Sequence, residues 1–474
     1  MKKLALIIPV LFVYAGAWAQ YTQIKSVINK SYYRHATIAI SAKNLTTGKT
    51  VFEYKSETSV IPASIQKLLT TGAALELLGK DYRTKTELAY SGKIEDSTLY
   101  GNLYIIGHGD PALGSKYFDK EHNFWLEWLN AIEKLGITEI TGNIIADDSS
   151  FSILTVPQKW TWEDLGNYYG AGVGGINIYD NTYTIHFRTY APGQRTKIKY
   201  IDPPIPQMKF DNKVISARIR SDQSYILGAP YTYERTVVGR LPSYREDFKV
   251  KGSMPDPAMF LAQELKDKLQ EKNITVKGIA TTTRISGKTD SALTIIYTQL
   301  SPTVEEIIKQ TNYHSVNLFA EALLKIMANR QGLTASTENG LGVLYKQLSK
   351  MGVDTNSIDL YDGCGLSRYN TLTANTIVEL LDYMYNSDNR MSFENSLPVA
   401  GKEGTLKYFG RGSKIEGNFR GKSGSMRRIR SYAGYLKNNK NETIAVAVIF
   451  NNFSCKSSTA KKDIARIITI LTEY

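Results

Sequence analysis

The sequence is poor in the residues that most often bind metals or form disulfides. Among 474 residues it has five histidines and two cysteines, Cys364 and Cys455. Two cysteines so far apart allow either a disulfide or two thiols, and the sequence leaves this choice open. The histidines, including the one in His108-Gly109-Asp110, lack the spacing of metal ligands. We therefore expect no metal and no other cofactor.

Long apolar runs are lacking beyond the amino terminus, so no part of the mature chain offers the ~20 apolar residues of a membrane-spanning helix. At the terminus, residues 1–3 are Met-Lys-Lys, an apolar stretch follows, and residues 17–19 are Ala-Trp-Ala. This pattern is typical of a secretory signal peptide. We predict a signal peptide over residues 1–19 and export of the mature chain, into the periplasm if the cell is Gram-negative.

Acidic residues are fewer than basic ones: 45 Asp and Glu stand against 58 Lys and Arg, which gives a formal net charge of +13. The basic residues are spread along the chain without the clustering that nucleic-acid binding requires. We therefore expect no nucleic-acid partner. A basic solvated surface explains the charge, and attraction to an anionic polymer of the cell envelope is the functional alternative.

The pattern of apolar residues divides the chain into three stretches, and its length exceeds that of one domain. Residues 20–81 suggest a helix, a hairpin and a helix, whereas 82–286 are rich in short alternating strands with Gly, Pro and Asn turns. Residues 287–474 have long helices and two strong strands, 431–436 and 443–450. We predict an α/β (α+β) domain formed by the outer stretches and split by an inserted β-rich region, itself two small domains.

The stretch from Ile61 to Ala74 carries the strongest chemical signal. Pro62 stops the preceding element and good helix formers follow, so we predict that a helix begins near Ser64. Lys67 then lies one turn further along, on the same face as Ser64. A serine hydroxyl needs a base to become a nucleophile, and a buried lysine can be that base. The helix amino terminus also offers N–H groups to a developing oxyanion.

Two more short motifs follow in order. Ser315-Val316-Asn317 gives Ser-x-Asn at the start of a predicted helix, and Lys422-Ser423-Gly424 gives Lys-Ser-Gly before the two strong strands. Ser-x-x-Lys, Ser-x-Asn and Lys-Thr/Ser-Gly in this order are the signature of penicillin-recognising serine acyl enzymes. The serine of the second motif can relay a proton and its asparagine can hold a substrate amide.

The third motif suits a terminal carboxylate. Lys422 offers a positive charge and Ser423 a hydroxyl, while Gly424 leaves room for a substrate strand.

Other matches are weaker. Ser458-Thr459-Ala460-Lys461 also fits Ser-x-x-Lys, and the tripeptide 387–389 is a literal Ser-Asp-Asn. Both are expected to be helix caps or loops, because neither forms part of the ordered set of three motifs. His314 adjoins Ser315, but no nucleophile elbow supports a Ser-His-Asp triad, so we expect a packing or capping role.

Residues 362–370 read Asp-Gly-Cys-Gly-Leu-Ser-Arg-Tyr-Asn. Here the chain resembles the penicillin-binding D-alanyl-D-alanine carboxypeptidases/endopeptidases of low molecular mass class C, which carry Asp-Gly-Ser-Gly-Leu-Ser-Arg-x-Asn between their second and third motifs. Cys364 replaces the serine. Residues 107–113, Gly-His-Gly-Asp-Pro-Ala-Leu, resemble the family's Gly-Gly-Gly-Asp-Pro-x-Leu with His108 as a departure. The resemblance covers nearly all of the mature chain.

This resemblance implies a transpeptidase/β-lactamase-like domain split around two smaller domains, and a role for each motif. Ser64 would be the acylated nucleophile, Lys67 its base, and Ser315 and Asn317 would assist, with N–H groups of Ser64 and Ser425 as the oxyanion hole. Lys422 would take part in catalysis and carboxylate binding. The residues implied in substrate binding are Ser423, Gly424, Ser425, Arg368, Asp147 and Asp148. The sequence does not decide which of the two aspartates faces the substrate.

The favoured hypothesis is an exported serine-type D-Ala-D-Ala carboxypeptidase that acts on peptidoglycan stem peptides and is acylated by β-lactam antibiotics. DD-endopeptidase activity, the cross-link type and the oligomeric state stay open. One alternative is a peptidoglycan-binding or scaffolding protein with little or no catalysis, which the complete set of motif residues disfavours. The other is a β-lactamase, which the large insertion and Arg368 disfavour.

Overall fold

The structure is a computed structural model that describes residues 20–118, 123–287, 290 and 292–474. The predicted signal peptide, 1–19, lies outside the described residues. The helices are α1 (20–28), α2 (Lys67–Leu78), α3 (Phe124–Glu133), α4 (Trp162–Leu165), α5 (Pro257–Glu271), α6 (Thr283–Ser286), α7 (Val304–His314), α8 (Asn317–Arg330), α9 (Thr337–Lys350), α10 (Ala374–Asn386), α11 (Arg390–Asn395) and α12 (Ser457–Leu471).

Most strands are short. They are β1 (Thr37–Asn44), β2 (Thr50–Tyr54), β3 (Lys85–Tyr90), β4 (Lys93–Glu95), β5 (Thr98–Tyr100), β6 (Leu103–Gly107), β7 (Glu139–Ile140), β8 (Ile144–Asp147), β9 (Thr182–Arg188), β10 (Lys197–Asp202), β11 (Lys209–Asn212), β12 (Ile215–Ala217), β13 (Gln223–Leu227), β14 (Glu234–Pro242), β15 (Phe248–Ser253), β16 (Thr275–Val276), β17 (Ala280–Thr282), β18 (Thr294–Leu300), β19 (Arg420–Met426), β20 (Ile429–Lys437) and β21 (Thr443–Asn451).

The described chain forms two compact units. The first holds the residues up to Lys80, Ile308–Val316 and Leu341–Tyr474, and the second holds Asp81–Ile307 and Asn317–Gly340.

The first unit is built on a five-stranded antiparallel sheet in the order β19-β20-β21-β1-β2. Every residue of β21 is buried, as expected for an apolar, β-branched strand with both faces covered. β1 and β2 form the predicted hairpin, and the two predicted strong strands are β20 and β21. These predictions are confirmed.

Helices cover both faces of this sheet. On one face α1 and α12 bring residues such as Ile24 and Ile467 into a buried cluster with Val448 of β21. On the other face Tyr435 of β20 donates a hydrogen bond to the carbonyl of Leu381 in α10 at 2.7 Å, and α10 also contacts α2. Because strand residues alternate between faces, the register of β19 with β20 turns alternate residues of β19 to the α10 side.

The second unit contains several small sheets. One has the order β17-β8-β6-β3-β18, and α5 packs on β8 and β17. The others are β16-β7-β5-β4, β10-β9-β15, and β11-β14-β12 with β13 added to β14. One apolar core runs through this unit and includes Trp128, Ile105 and Leu261. The predicted texture of short strands is confirmed, whereas the domain limits 82 and 286 stay predictions; β18, which follows residue 286, pairs with β3.

Across the described part of the chain, none of the helices combines the length and the hydropathy needed to cross a bilayer.

Candidate active site

The turn that carries Ser64 is not the start of a regular helix. Ala63 has a φ of 50°, in the left-handed region that residues with a Cβ rarely occupy, and a 3-10 turn covers Ala63–Gln66. The α-helix α2 begins at Lys67, so the predicted helix start near Ser64 is three residues early. Ser64 is half-buried while both of its neighbours are buried. The turn therefore leaves the hydroxyl reachable in an otherwise closed environment.

A glycine in β19 lets this strand approach the Ser64 turn. A Cβ added to Gly424 would lie 2.2 Å from Oγ of Ser431, 2.8 Å from the carbonyl oxygen of Pro62 and 3.0 Å from the amide nitrogen of Ser64. Ser431 Oγ donates to that Pro62 carbonyl at 2.5 Å. Only glycine fits such an approach. The glycine of the third motif thus makes room for the serine turn of the protein itself.

Lys67 points from α2 towards the hydroxyl of Ser64. Its side chain is completely buried, and Nζ donates to Ser64 Oγ at 3.1 Å and to the carbonyl oxygen of Cys364 at 2.7 Å. The predicted one-turn spacing is confirmed. A lysine held within hydrogen-bond reach of a serine is the geometry of a nucleophile and its base.

The second and third motifs meet in one hydrogen bond. Lys422 Nζ donates to Ser315 Oγ at 2.8 Å and to the carbonyl oxygen of Ser423, also at 2.8 Å. Ser315 has a φ of 59° and lies between α7 and α8, because α7 continues to His314 and α8 begins at Asn317. The prediction that a helix starts at Ser315 itself is therefore wrong by two residues.

The two buried lysines influence each other. Burial lowers the pKa of Lys422 well below its ordinary value of 10.5, and the charge of Lys67 lowers it further. Two ammonium groups in one dry site repel each other. The shift disposes the Lys422 amine to be neutral.

The loop 362–370 supplies the acceptor for Lys67. Cys364 is buried, and its carbonyl oxygen rather than its sulfur accepts the Lys67 hydrogen bond. Cys455 is half-buried, and no disulfide joins the two cysteines. The sequence analysis singled out this loop by its resemblance to the family segment between the second and third motifs, but the contact with Lys67 was not predicted.

Asn317 belongs to the second unit, together with Asp147 and Asp148. Its Nδ2 donates to the carbonyl oxygen of Tyr169 at 2.8 Å. Two turns further along α8, the completely buried Lys325 was missed by the sequence reasoning. Its Nζ donates to the carbonyl oxygens of Leu154, Thr155 and Val173 at 3.1, 3.1 and 2.9 Å. These bonds fasten the segment 154–173 to α8.

The two candidate aspartates differ in environment. Asp147 ends β8 and is buried, and its Oδ1 accepts from the Ser149 amide at 3.0 Å and from Thr283 Oγ1 at 3.1 Å. Asp148 lines a cleft with Thr283 and Arg284. Burial raises the pKa of Asp148 to about 6, and the neighbouring Asp256 carboxylate adds to this rise. The Asp147 carboxylate is thus hydrogen-bonded within the protein, whereas burial disfavours the charged form of Asp148.

The remaining predicted substrate-binding residues lie in the first unit. Arg368 and Ser425 are exposed and Ser423 is half-buried. All three side chains can be reached from solvent.

The rival motifs have structural roles or lie at the surface. Ser458 is exposed within α12. Ser387 Oγ and Asn389 Nδ2 both donate to Glu76 of α2, at 2.5 and 3.1 Å, so this Ser-Asp-Asn ties a loop to a helix. His314 is exposed at the end of α7.

The chain matches a known family along its described length. The model of the D-Ala-D-Ala carboxypeptidase 3 (S13) family matches residues 20–474. The chain is 26% identical over 463 residues to the D-alanyl-D-alanine carboxypeptidase of Actinomadura sp. (strain R39), covering 95% of this chain and 84% of that protein. It is 24% identical over 442 residues to D-alanyl-D-alanine carboxypeptidase DacB of Haemophilus influenzae, covering 91% and 89%.

Solved structures give the same fold. The crystal structure of penicillin binding protein 4 (dacB) from Haemophilus influenzae superposes with a TM-score of 0.82 at 24% identity, over 95% of this chain and 99% of that one. The same protein complexed with a β-lactam superposes with a TM-score of 0.78 at 22% identity, over 96% and 99%.

The fold and the serine–lysine site define a mixed α/β serine hydrolase. The chain belongs to the D-Ala-D-Ala carboxypeptidase 3 (S13) family. The predictions of family, fold class and enzyme class are confirmed.

Proposed function

We propose that the chain is a serine-type D-Ala-D-Ala carboxypeptidase that acts on peptidoglycan stem peptides through an acyl-enzyme on Ser64. The observation that carries this proposal is the buried Lys67 with its Nζ 3.1 Å from Ser64 Oγ. The Ser315–Lys422 hydrogen bond supports it, because it brings the second and third motifs together.

Acylation begins at the penultimate carbonyl carbon of the peptide. Lys67 Nζ takes the proton of Ser64 as the Oγ–C bond forms, and the negative charge moves to the carbonyl oxygen. Backbone N–H groups of Ser64 and Ser425 stabilise that oxyanion. The C–N bond then breaks, and the proton passes through Ser315 to the amine of the departing D-Ala.

Water completes the cycle. It loses a proton to the base and attacks the ester carbon, and the Oγ–C bond breaks as Ser64 recovers its proton. The products are the shortened peptide and D-Ala.

Further residues of the motifs are proposed to hold the substrate. Lys422 and Ser423 bind the terminal carboxylate, because the Lys422 amine and the Ser423 hydroxyl can both donate to it, and the negative charge of the carboxylate favours protonation of Lys422. Asn317 holds a substrate amide, and Arg368 together with Asp147 or Asp148 contacts the free end of the stem peptide. Cross-linked peptides with a D-Ala-D-amino-acid bond are a second candidate substrate. The same acyl step would release the amine of the cross-linking residue in place of free D-Ala.

β-Lactams should acylate the same serine, because their strained amide offers Ser64 a carbonyl carbon and their carboxylate fits the site of Lys422. A related fold was solved with a β-lactam bound, which supports this expectation.

Export is part of the proposal. The signal-peptide pattern of residues 1–19 supports it, and the periplasm is the compartment if the cell has two membranes. Amino-terminal sequencing of the protein purified from its own cells should begin at Gln20; an amino terminus at Met1 contradicts export by this route.

The test is the intact mass of the protein after incubation with penicillin. We expect one stoichiometric adduct on the wild type and on Ser458→Ala, and none on Ser64→Ala. An adduct on Ser64→Ala overturns the assignment of Ser64 as the nucleophile. The absence of an adduct on folded wild type overturns the acyl-enzyme proposal and favours the scaffolding alternative. Rapid turnover of penicillin without a lasting adduct favours the β-lactamase alternative.

A further inference from the structure

The side chain of Asp362 lies in the loop beside the proposed base and is completely buried. It accepts hydrogen bonds from atoms of its own loop. These are the Gly365 amide at 2.7 Å, the Leu366 amide at 3.1 Å, the Ser367 amide at 2.6 Å and Asn370 Nδ2 at 2.9 Å. A carboxylate that gathers several N–H groups fixes a tight backbone curve, because each bond to a charged acceptor is stronger than a neutral one. The carboxylate of Asp362 therefore sets the path of the loop.

The curved loop presents three consecutive carbonyl oxygens to one side of the Ser64 turn and α2. Gln66 Nε2 donates to the carbonyl of Asp362 at 2.5 Å, and Thr70 Oγ1 donates to that of Gly363 at 2.6 Å. The third carbonyl, of Cys364, accepts from Lys67 Nζ at 2.7 Å. The loop thus offers three consecutive acceptors to donors at Gln66, Lys67 and Thr70.

The loop also touches the nucleophile's own turn. Gly365 has a φ of 80°, and a Cβ there would lie 2.2 Å from the carbonyl oxygen of Ala63. A displacement of this loop would therefore change the position of Ser64 as well as that of Lys67.

We propose that Asp362 is a positioning residue for the reaction proposed above: its carboxylate places the Cys364 carbonyl so that Lys67 Nζ is held against Ser64. A lysine has several rotatable bonds, and fixing them costs conformational entropy. An anchor in the folded protein means that this cost is not added to the barrier of the acylation step. The carbonyl anchors one N–H and leaves the lone pair of the neutral amine available to the serine proton. This inference rests on the proposed acyl-enzyme chemistry.

Asp362→Asn tests the inference. The new NH₂ group faces backbone N–H donors in place of a carboxylate oxygen, so the loop loses acceptors and shifts. We expect the acylation rate at saturating penicillin to fall roughly 10- to 100-fold, as for a misplaced catalytic group, with little change in the affinity of the non-covalent complex. Asp354→Asn is the matched control, since Asp354 also accepts a backbone amide, that of Asn356 at 3.0 Å, in an exposed turn.

A folded Asp362→Asn protein that acylates at the wild-type rate overturns the inference, and so does one whose affinity falls while its saturated rate is kept. If this variant does not fold, Gln66→Leu decides, because it removes the donor to the Asp362 carbonyl. It also removes a longer bond to Asp362 Oδ1, at 3.3 Å, but the carboxylate keeps its four bonds within the loop. A lower saturated rate supports the inference and an unchanged rate overturns it. Failure of the wild type itself to acylate is a different result, which overturns the proposed function.

Discussion

Lys422 Nζ donates a hydrogen bond to Ser315 Oγ over 2.8 Å, and this bond joins two motifs that stand more than a hundred residues apart in the sequence. Ser315 accepts from Lys422 and keeps its own proton to donate. A hydroxyl in this state can pass a proton on, as the proposed mechanism requires. The same bond pairs the buried Lys422 Nζ, which would be costly to bury without a hydrogen-bond partner.

Lys67→Gln removes the proposed base while keeping a polar side chain of similar length. We expect the penicillin acylation rate to fall by roughly 10² to 10⁴, the usual contribution of a general base. Stopped-flow or quenched labelling measures this rate. Lys461→Gln, in the rival motif of α12, should acylate as the wild type does. A Lys67→Gln protein with the wild-type acylation rate contradicts the role of Lys67.

Gly424→Ala places a methyl group where the backbone of the serine turn lies. The nearest atoms would be 2.2 Å and 2.8 Å away, so we expect a loss of roughly 1–3 kcal/mol in the free energy of unfolding and slower acylation. The control is Gly342→Ala in α9, where a Cβ would meet nothing within 4 Å. That change should raise stability by about 0.5–1 kcal/mol. Urea unfolding measures both, and equal behaviour of the two variants contradicts the packing role of Gly424.

The local patterns of the sequence were sufficient for the elements near the site. The apolar and β-branched content of 443–450 predicted the central strand, and one helical turn placed Lys67 beside Ser64. They could not predict the left-handed Ala63 or the 3-10 turn, because these depend on the close approach of Gly424 from another strand.

Local sequence patterns also could not predict the contacts of Lys325. A lysine in an apolar helix suggests a solvated side chain, yet its three carbonyl partners come from residues 154–173, which no helical periodicity connects to α8. The same holds for Asp362. Its proposed effect on Lys67 depends on the packing of the loop 362–370 on α2, which the local sequence does not reveal.

The pH dependence of stability should reveal Lys325. Burial lowers the pKa of Lys325 from 10.5 to about 8, against the opposing charge of Glu321. Between these two values the unfolded state binds more protons than the folded state, so the free energy of unfolding rises with pH. Compared with Lys325→Met, the wild type should gain up to roughly 3 kcal/mol between pH 7.5 and 10.5.

Urea unfolding at a series of pH values measures this gain. Lys309→Met, at an exposed position, should keep the wild-type slope. A slope in Lys325→Met that equals the wild-type slope contradicts the lowered pKa.

Replacement by asparagine should change the stability of the protein in opposite directions at Asp147, the last residue of β8, and at Asp148, which follows it. The pKa of Asp148 is raised from 3.8 to about 6 by burial, so its ionisation opposes folding and stability declines as pH rises from 4 to 6. Asp148→Asn should therefore be more stable at pH 7, by up to roughly 3 kcal/mol. Asp147→Asn should lose about 1 kcal/mol, because it weakens the bonds to Ser149 and Thr283. Thermal unfolding at pH 7 measures both variants, and a stabilised Asp147→Asn contradicts this assignment.

The most direct test of the acyl-enzyme account is the release of D-Ala from a stem pentapeptide that ends in D-Ala-D-Ala. The wild type and Ser458→Ala should release one D-Ala per peptide, and Ser64→Ala should release none while unfolding at the wild-type temperature. Release of D-Ala by folded Ser64→Ala at the wild-type rate would contradict the central claim that Ser64 is the nucleophile.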